Sequence, residues 1–175
     1  MARKYCYICG TKTETKQPHI YWCEKCQQNY YDNPKPCADL YLFDDQDKLV
    51  VGRRKHEPNK GTLDIPGGFL DFDETFEEGA VREIEEELGL KTGDYSAPMY
   101  LTSYRTDYPW GTEVYQTAVA VFVARLHPDA KPEAMDDVEE LLYIKPKDLI
   151  RTDFGFPEHA DVAAVALEKL QEHNN

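Results

Sequence analysis

Apolar residues along the chain alternate between short strand-like runs and one stretch of helical period. Runs at 38–43 and 48–53 flank Asp44-Asp45-Gln46-Asp47 and predict two strands around a turn. Farther on, Phe76, Ala80, Ile84 and Leu88 recur at helical spacing and define a core-facing stripe. Residues 98–106 predict another strand, and 107–111 a loop carrying Tyr108 and Trp110. The strongest strand signal is 113–124; from Thr117 onward it is apolar at nearly every residue, as in a central strand covered on both faces. A polar loop over 127–137 leads into a strand at 138–144. The tail, 157–172, predicts a helix with Val162, Val165, Ala166 and Leu170 facing inward. Strands with one helix near the middle and another at the end imply an α/β fold, a sheet between helical layers.

The middle helix has defined ends and an unusual face. Asp73 or Thr75 can cap its start, and the acids of its first turn suit the positive end of the dipole. Gly89 suits the left-handed residue that closes it. Glu83 and Glu87 lie one turn apart, with Glu86 three residues from Glu83. Like charges at that spacing repel. A solvated acidic face is one reading; a bound cation better explains three glutamates beside Arg82 and the Gly67-Gly68 turn.

The first 32 residues carry Cys6-x-x-Cys9 and Cys23-x-x-Cys26. Paired thiolates at this spacing suit a tetrahedral structural zinc site at the end of a hairpin, complete with four ligands and closed to catalysis. Metal ligation would supply much of the folding energy of so small a lobe. His19 is expected at the surface, and the odd Cys37 as a small buried apolar residue. Residues 27–36 read as a linker or rigid turn.

Composition limits the partners. With 41% apolar and 30% charged residues the chain reads as soluble and globular. Its formal charge of -13 disfavours binding to extended nucleic acid but leaves room for a small anionic substrate, since divalent metals reverse the local field. No apolar run is long enough for a bilayer, and the opening residues lack the apolar core of a signal peptide, so cytoplasmic location and no membrane partner are expected. The basic cluster Arg53-Arg54-Lys55 divides evenly between a solvated strand end and contact with substrate phosphate.

Gly68, Glu74 and the run Arg82-Glu83-Ile84-Glu85-Glu86-Glu87-Leu88-Gly89-Leu90 reproduce the fixed spacing of the Nudix box, including its aliphatic positions 84 and 90. The chain therefore resembles the Nudix hydrolases, and with its cysteines it resembles the zinc-ribbon branch that includes NADH pyrophosphatases. The resemblance implies a Nudix α/β/α sandwich with a mixed β-sheet over 33–175, preceded by a four-cysteine zinc ribbon over 1–32. It also implies an enzyme using Mg²⁺ or Mn²⁺ to cleave a nucleoside diphosphate linked to another group, ADP-ribose or an NADH-like compound, releasing a nucleoside monophosphate. Carried over residue by residue, Glu83 and Glu87 are the principal metal ligands and Glu86 a further ligand or the base. The Gly68 carbonyl completes the site, Arg82 orients the glutamates, and Glu74 orients Arg82 or caps the loop. Asp137, Glu139 and Glu140 are the candidates for an acid outside the box.

The branch's Ser-Gln-Pro-Trp marker is missing; Thr102-Ser103-Tyr104 and Tyr108-Pro109-Trp110 stand nearby instead, which weakens an NADH assignment. Arg53 and Arg54 are candidates for substrate phosphate, and Tyr104, Tyr108 and Trp110 for stacking on a base. Two other functions are weighed: a non-catalytic nucleotide or ADP-ribose sensor, and an RNA-cap-processing enzyme. No dimer interface is legible, and a homodimer stays open.

Overall fold

A computed structural model describes residues 5–173. The outer ends of both expected lobes, and the first residues read for an export signal, lie outside that range.

Three short antiparallel strands, β1 (Glu14–Gln17), β2 (Ile20–Cys23) and β3 (Gln28–Tyr31), form the N-terminal lobe in that order. Its small core is Cys6, Cys23 and Tyr30, with Cys9 and Cys26 packed against it. His19 is exposed at the β1–β2 turn. The expected linker is thus part strand. β3 takes 28–31, and β4 (Lys35–Phe43) already starts at Lys35 because parallel pairing with the later strand β9 begins there, at Lys35↔Thr117.

The second lobe is built on a mixed sheet. Its remaining strands are β5 (Leu49–Arg54), β6 (Leu63–Asp64), β7 (Gly67–Phe69), β8 (Met99–Trp110), β9 (Glu113–Arg125) and β10 (Val138–Ile144). The order is β10-β5-β4-β9-β8, with β6 on β5 and β7 on β4. Among these strands β4 and β9 run parallel, and the other pairs are antiparallel. Side-chain alternation in these two strands builds both cores. Ala38, Leu40, Leu42, Ala120, Phe122 and Ala124 meet Ala80, Ile84 and Leu88 of helix α1 (Phe76–Leu88) on one face. Tyr41, Phe43, Val121 and Val123 meet Ala163, Ala166 and Leu170 of helix α2 (Glu158–His173) on the other. This is the expected α/β/α sandwich, and the central strand is covered on both faces.

Three local expectations are corrected. Phe76 is 37% exposed, since it opens α1 beyond the sheet, and the buried stripe is Gly79, Ala80, Ile84 and Leu88. Val165 is 52% exposed, and α2 buries His159, Ala163, Ala166 and Leu170 instead. Residues 107–110 form no loop: β8 runs to Trp110 and turns through Gly111-Thr112 into β9, pairing Tyr108 with Tyr115 and Trp110 with Glu113. Gly111, at φ 60, supplies the left-handed residue the two-residue turn needs. Pro109 is tolerated because β8 is an edge strand whose outer side owes no ladder bond. Among the described residues, no helix is long and apolar enough to cross a membrane.

Candidate functional site

α1 is set rigidly. Thr75, rather than Asp73, caps it, in a reciprocal capping box with Glu78, and Gly89 ends it at φ 65. The loop after β9 returns to its C-terminus, where the backbone N–H groups of Glu133 and Met135 donate to the carbonyls of Leu88 and Glu87 at 3.0 and 2.9 Å. Carbonyls that α1 leaves unpaired are thereby satisfied. The same loop carries Asp136 and Asp137 to the cleft beside the helix.

That cleft has a volume of about 260 Å³ and opens between α1, β7, β8 and the start of α2. Glu83, Glu87, Arg82, Gly67 and Gly68 line its acidic side. Arg82 is the hub. Its Nε and Nη2 donate to the two oxygens of Glu74 at 2.7 and 3.0 Å, and Nη1 donates to Glu83 at 2.9 Å and Glu86 at 2.8 Å. Nη2 also donates to the Phe69 carbonyl at 2.9 Å, tying the helix to β7. A bidentate guanidinium–carboxylate pair is among the better-defined contacts a protein makes. It holds the Glu74 carboxyl below the usual range.

Glu83 and Glu87 experience the reverse. Burial raises both, Glu87 strongly, and the neighbouring Glu83 and Asp64 charges push Glu87 further. One Glu87 oxygen accepts from the Gly67 N–H at 3.1 Å. Two half-buried carboxylates facing one cleft are the donor set a hard divalent cation favours. A Cβ on Gly68 would collide with the Glu83 carboxylate, so backbone and acid share a space made by the glycine. These residues fit a divalent metal. Glu86 sits outside the cleft lining and is half exposed.

The four ribbon cysteines also fit a metal. Their sulfurs lie within 4.8 Å of one another, with Cys6–Cys26 at 3.8 Å and Cys9–Cys23 at 3.6 Å. Thiolates about 2.3 Å from one ion would stand roughly 3.8 Å apart at the corners of a tetrahedron. Such separations are far beyond a disulfide bond. Burial opposes ionisation of Cys6, but bonds from Tyr30 and the backbone hold its thiol down to about 6; Cys26 is driven to about 12, first by Cys9 and then by burial. Four adjacent thiols cannot all ionise without a cation among them.

Of the other expected residues, Arg54 lines the cleft and Arg53 does not. Arg53 pairs with Glu140 at 3.0 Å and with the Gly61 carbonyl at 2.9 Å. Asp137 lines the cleft, while Glu139 and Glu140 lie outside it. Tyr104 turns its hydroxyl onto Asp39 and does not line the cleft. Trp110 is exposed and stacks on Tyr108, which lines the cleft between Phe69 and Phe156. Cys37 is buried at the cleft floor, and burial, with Asp39 and Glu83, pushes its thiol up to about 12, the inert state expected of it. A larger hollow of about 1090 Å³, between the ribbon and the β8–β9 hairpin, contains none of the box residues.

Sequence reasoning passed over Asp39, Asp64 and His159, all lining the cleft. One signal was available: Asp39 is a lone acid inside the otherwise apolar run of β4.

The sandwich and the carboxylate cluster on its first helix define an α/β protein with an acidic cleft beside that helix. The chain belongs to the NUDIX domain family, whose model matches residues 33–166. It is 28% identical over 142 residues to the NAD-capped RNA hydrolase NudC of Escherichia coli O1:K1, covering 81% of this chain and 50% of that protein. It thus spans about half the length of the curated relatives it matches. Among solved structures it is similar to a NUDIX hydrolase from Nitrosomonas europaea, with a TM-score of 0.69, 22% identity, and 97% and 93% of the two chains covered. It is also similar to the NUDIX domain of Shewanella oneidensis NrtR complexed with ADP ribose, with a TM-score of 0.63, 19% identity, and 85% and 93% covered. At these identities the structural likeness speaks for the fold.

Proposed function

We propose that this chain is a metal-dependent Nudix pyrophosphohydrolase, cleaving the diphosphate of a nucleoside diphosphate linked to another group and releasing a nucleoside monophosphate. One observation carries the reading: Glu83, Glu87, Arg82 and the Gly67-Gly68 turn converge on a cleft whose opposite wall holds Arg54 and aromatic rings. A phosphoanhydride is shielded from water by its own charge, so the site must neutralise it and place the nucleophile in line. Bound Mg²⁺ or Mn²⁺ would polarise the phosphoryl oxygens and acidify an attacking water. Glu83, Glu87 and the Gly68 carbonyl would hold the metal, and Asp137, which lines the same cleft, would join from outside the box. Glu86 is a further ligand or takes the water's proton; Arg82 fixes Glu83 and Glu86, and the Gly67 N–H holds Glu87.

The water oxygen bonds to one phosphorus as its bond to the bridging oxygen breaks; the bridging oxygen departs on the other phosphate, the base takes the water's proton, and two monophosphates result. Arg54 meets the phosphate, with Arg53 bracing the strand end behind it. Phe69 and Tyr108 offer the faces for a base, Trp110 extends the stack at the rim, and Tyr104 acts through Asp39. Residues 1–32 form the zinc ribbon and 33–175 the hydrolase domain, with Cys6, Cys9, Cys23 and Cys26 holding Zn²⁺. We place the protein in the cytoplasm, acting on small nucleotides.

ADP-ribose and NADH-like compounds head the substrate list, and NAD-capped RNA joins it because the curated relatives carry that activity in their name. The test is product analysis with Mg²⁺ and Mn²⁺ across ADP-ribose, NADH, NAD⁺, FAD, dinucleoside polyphosphates, nucleoside triphosphates and a short NAD-capped RNA. Strong preference for one compound, yielding a nucleoside monophosphate, is expected. Metal-bound, folded protein silent across the panel would overturn hydrolysis in favour of a nucleotide sensor.

A further inference from the structure

The C-terminal helix reaches the cleft through one side chain. His159, buried in the first turn of α2, stands between carboxylates from two strands. Its Nε2 lies 3.3 Å from Asp39 Oδ2 on β4, and its Nδ1 lies 2.7 Å from Asp64 Oδ1 on β6. The Nδ1 contact is off the ring's N–H direction, so charge rather than hydrogen-bond alignment carries it. Burial disfavours the imidazolium, but Asp64 and Asp39 together outweigh burial and raise His159 to about 10.

Each carboxylate then leads to the cleft. Asp39 accepts from the Tyr104 hydroxyl and packs under the glycine turn: a Cβ on Gly67 would fall 2.7 Å from Asp39 Oδ1. The Gly67 N–H is the donor that holds Glu87. On the other side, Asp64 accepts from Arg54 Nη1, whose Nε donates to the Pro58 carbonyl at 2.7 Å and whose guanidinium lies over the Phe156 ring. Along Asp39, His159, Asp64 and Arg54 the charges alternate. Without the central cation, the buried Asp39 and the half-buried Asp64 carboxylates would face each other across a cleft that already holds Glu83 and Glu87, and an uncompensated buried charge is costly. A carboxylate so released would turn toward any cation in reach, the cleft's metals or Arg54 included.

We propose that His159 is a positioning residue for the phosphoanhydride chemistry, a buried strut that fixes Asp39 and Asp64 and through them the Gly67 turn and the Arg54 guanidinium. This rests on the hydrolase reading above. An anchor that merely held α2 in place would change how much protein folds and leave the KM of the folded fraction unaltered. A strut acting through Arg54 moves KM.

The test compares wild type, His159→Gln, Arg54→Ala and the double variant, in folded protein at saturating Mg²⁺, on the compound that wild type cleaves best. His159→Gln is expected to raise KM about tenfold, and to add less than about twofold in the Arg54→Ala background, because coupled residues are not additive. Unchanged KM, or fully additive effects, overturns the proposal. Asp64→Asn breaks the same link from its other end and must raise KM likewise; it decides the matter if His159→Gln does not fold. A second arm needs no substrate: hydrogen exchange at the Arg54 Nε–H, followed by NMR, should accelerate about tenfold in His159→Gln. Unchanged exchange overturns the strut even if wild type cleaves nothing, an outcome that would end the hydrolase reading alone.

Discussion

Gly68 and Glu83 share a space that only a glycine leaves: a Cβ at position 68 would fall 2.7 Å from the Glu83 Cδ. The carboxylate must move if the glycine is replaced. Gly68→Ala should therefore reduce kcat/KM on the order of 100-fold, the cost of displacing a reacting geometry by about 1 Å, with little change in melting temperature. Steady-state kinetics beside a thermal melt checks both halves, and near-native turnover would place the metal elsewhere.

Glu87 is held above the ordinary glutamate range by burial and by Glu83 and Asp64. Its folded pKa exceeds its unfolded one, so metal-free protein should lose stability as pH rises above about 4.3, where the unfolded chain has already released the proton. Glu87→Gln should remove that loss and be the more stable form in chelator at pH 8. Mn²⁺ at about 100 times its Kd should raise the wild-type melting temperature by roughly 5–10 °C and leave Glu87→Gln nearly unmoved. Melts with and without chelator at pH 5 and 8 measure all of this.

His159 and Asp64 impose opposite limits. His159, raised to about 10, contributes stability that is complete below its unfolded value of about 6.5 and is lost as pH climbs through 10. For Asp64, burial opposes the charge, but His159 and Arg54 depress it overall, so its contribution is present above about 3.9 and is lost as pH falls further. The cluster should stabilise most between about pH 4 and 6.5. Urea melts from pH 4 to 10 should show His159→Gln with a flatter alkaline limb than wild type; an identical limb would mean the histidine is neutral.

Tyr108 and Trp110 are neighbours in one stack with different exposures to the cleft. Tyr108→Ala should weaken nucleotide binding about tenfold, the worth of one aromatic face, whereas Trp110→Ala should change it less than about threefold. Calorimetric titration of the preferred nucleotide separates them. The reverse ranking would move the base out to the rim.

Cys23 is fully buried in the ribbon core, 3.6 Å from Cys9. Cys23→Ser should release zinc, measured by atomic emission, and unfold the ribbon, since a metal-bound lobe draws its folding energy from the metal. Undiminished zinc content would contradict a four-thiolate site.

What the sequence disclosed was local. The stripe Ala80, Ile84 and Leu88, the caps Thr75 and Gly89, and the paired cysteines are each readable from neighbours within a turn or a hairpin. The misreadings have the same origin. Pro109 looks like a strand breaker until β8 is known to be an edge, and Phe76 continues a helical period past the point where the sheet ends. His159, Asp39 and Asp64 come from three distant stretches, and only the folded sheet makes them partners. No periodicity marks such a meeting. The buried acid in β4 marks one end of it.

Alternation along β4 assigns Leu40 and Leu42 to one helix and Asp39, Tyr41 and Phe43 to the other side. Parity is therefore information the gene must preserve. A single-residue deletion between Ala38 and Phe43 would exchange the two sets, presenting Asp39 to the apolar face of α1 and a leucine to His159. Substitutions in this strand can be graded by size and polarity, but a frame slip of one residue cannot. Length variation between relatives should avoid this strand altogether.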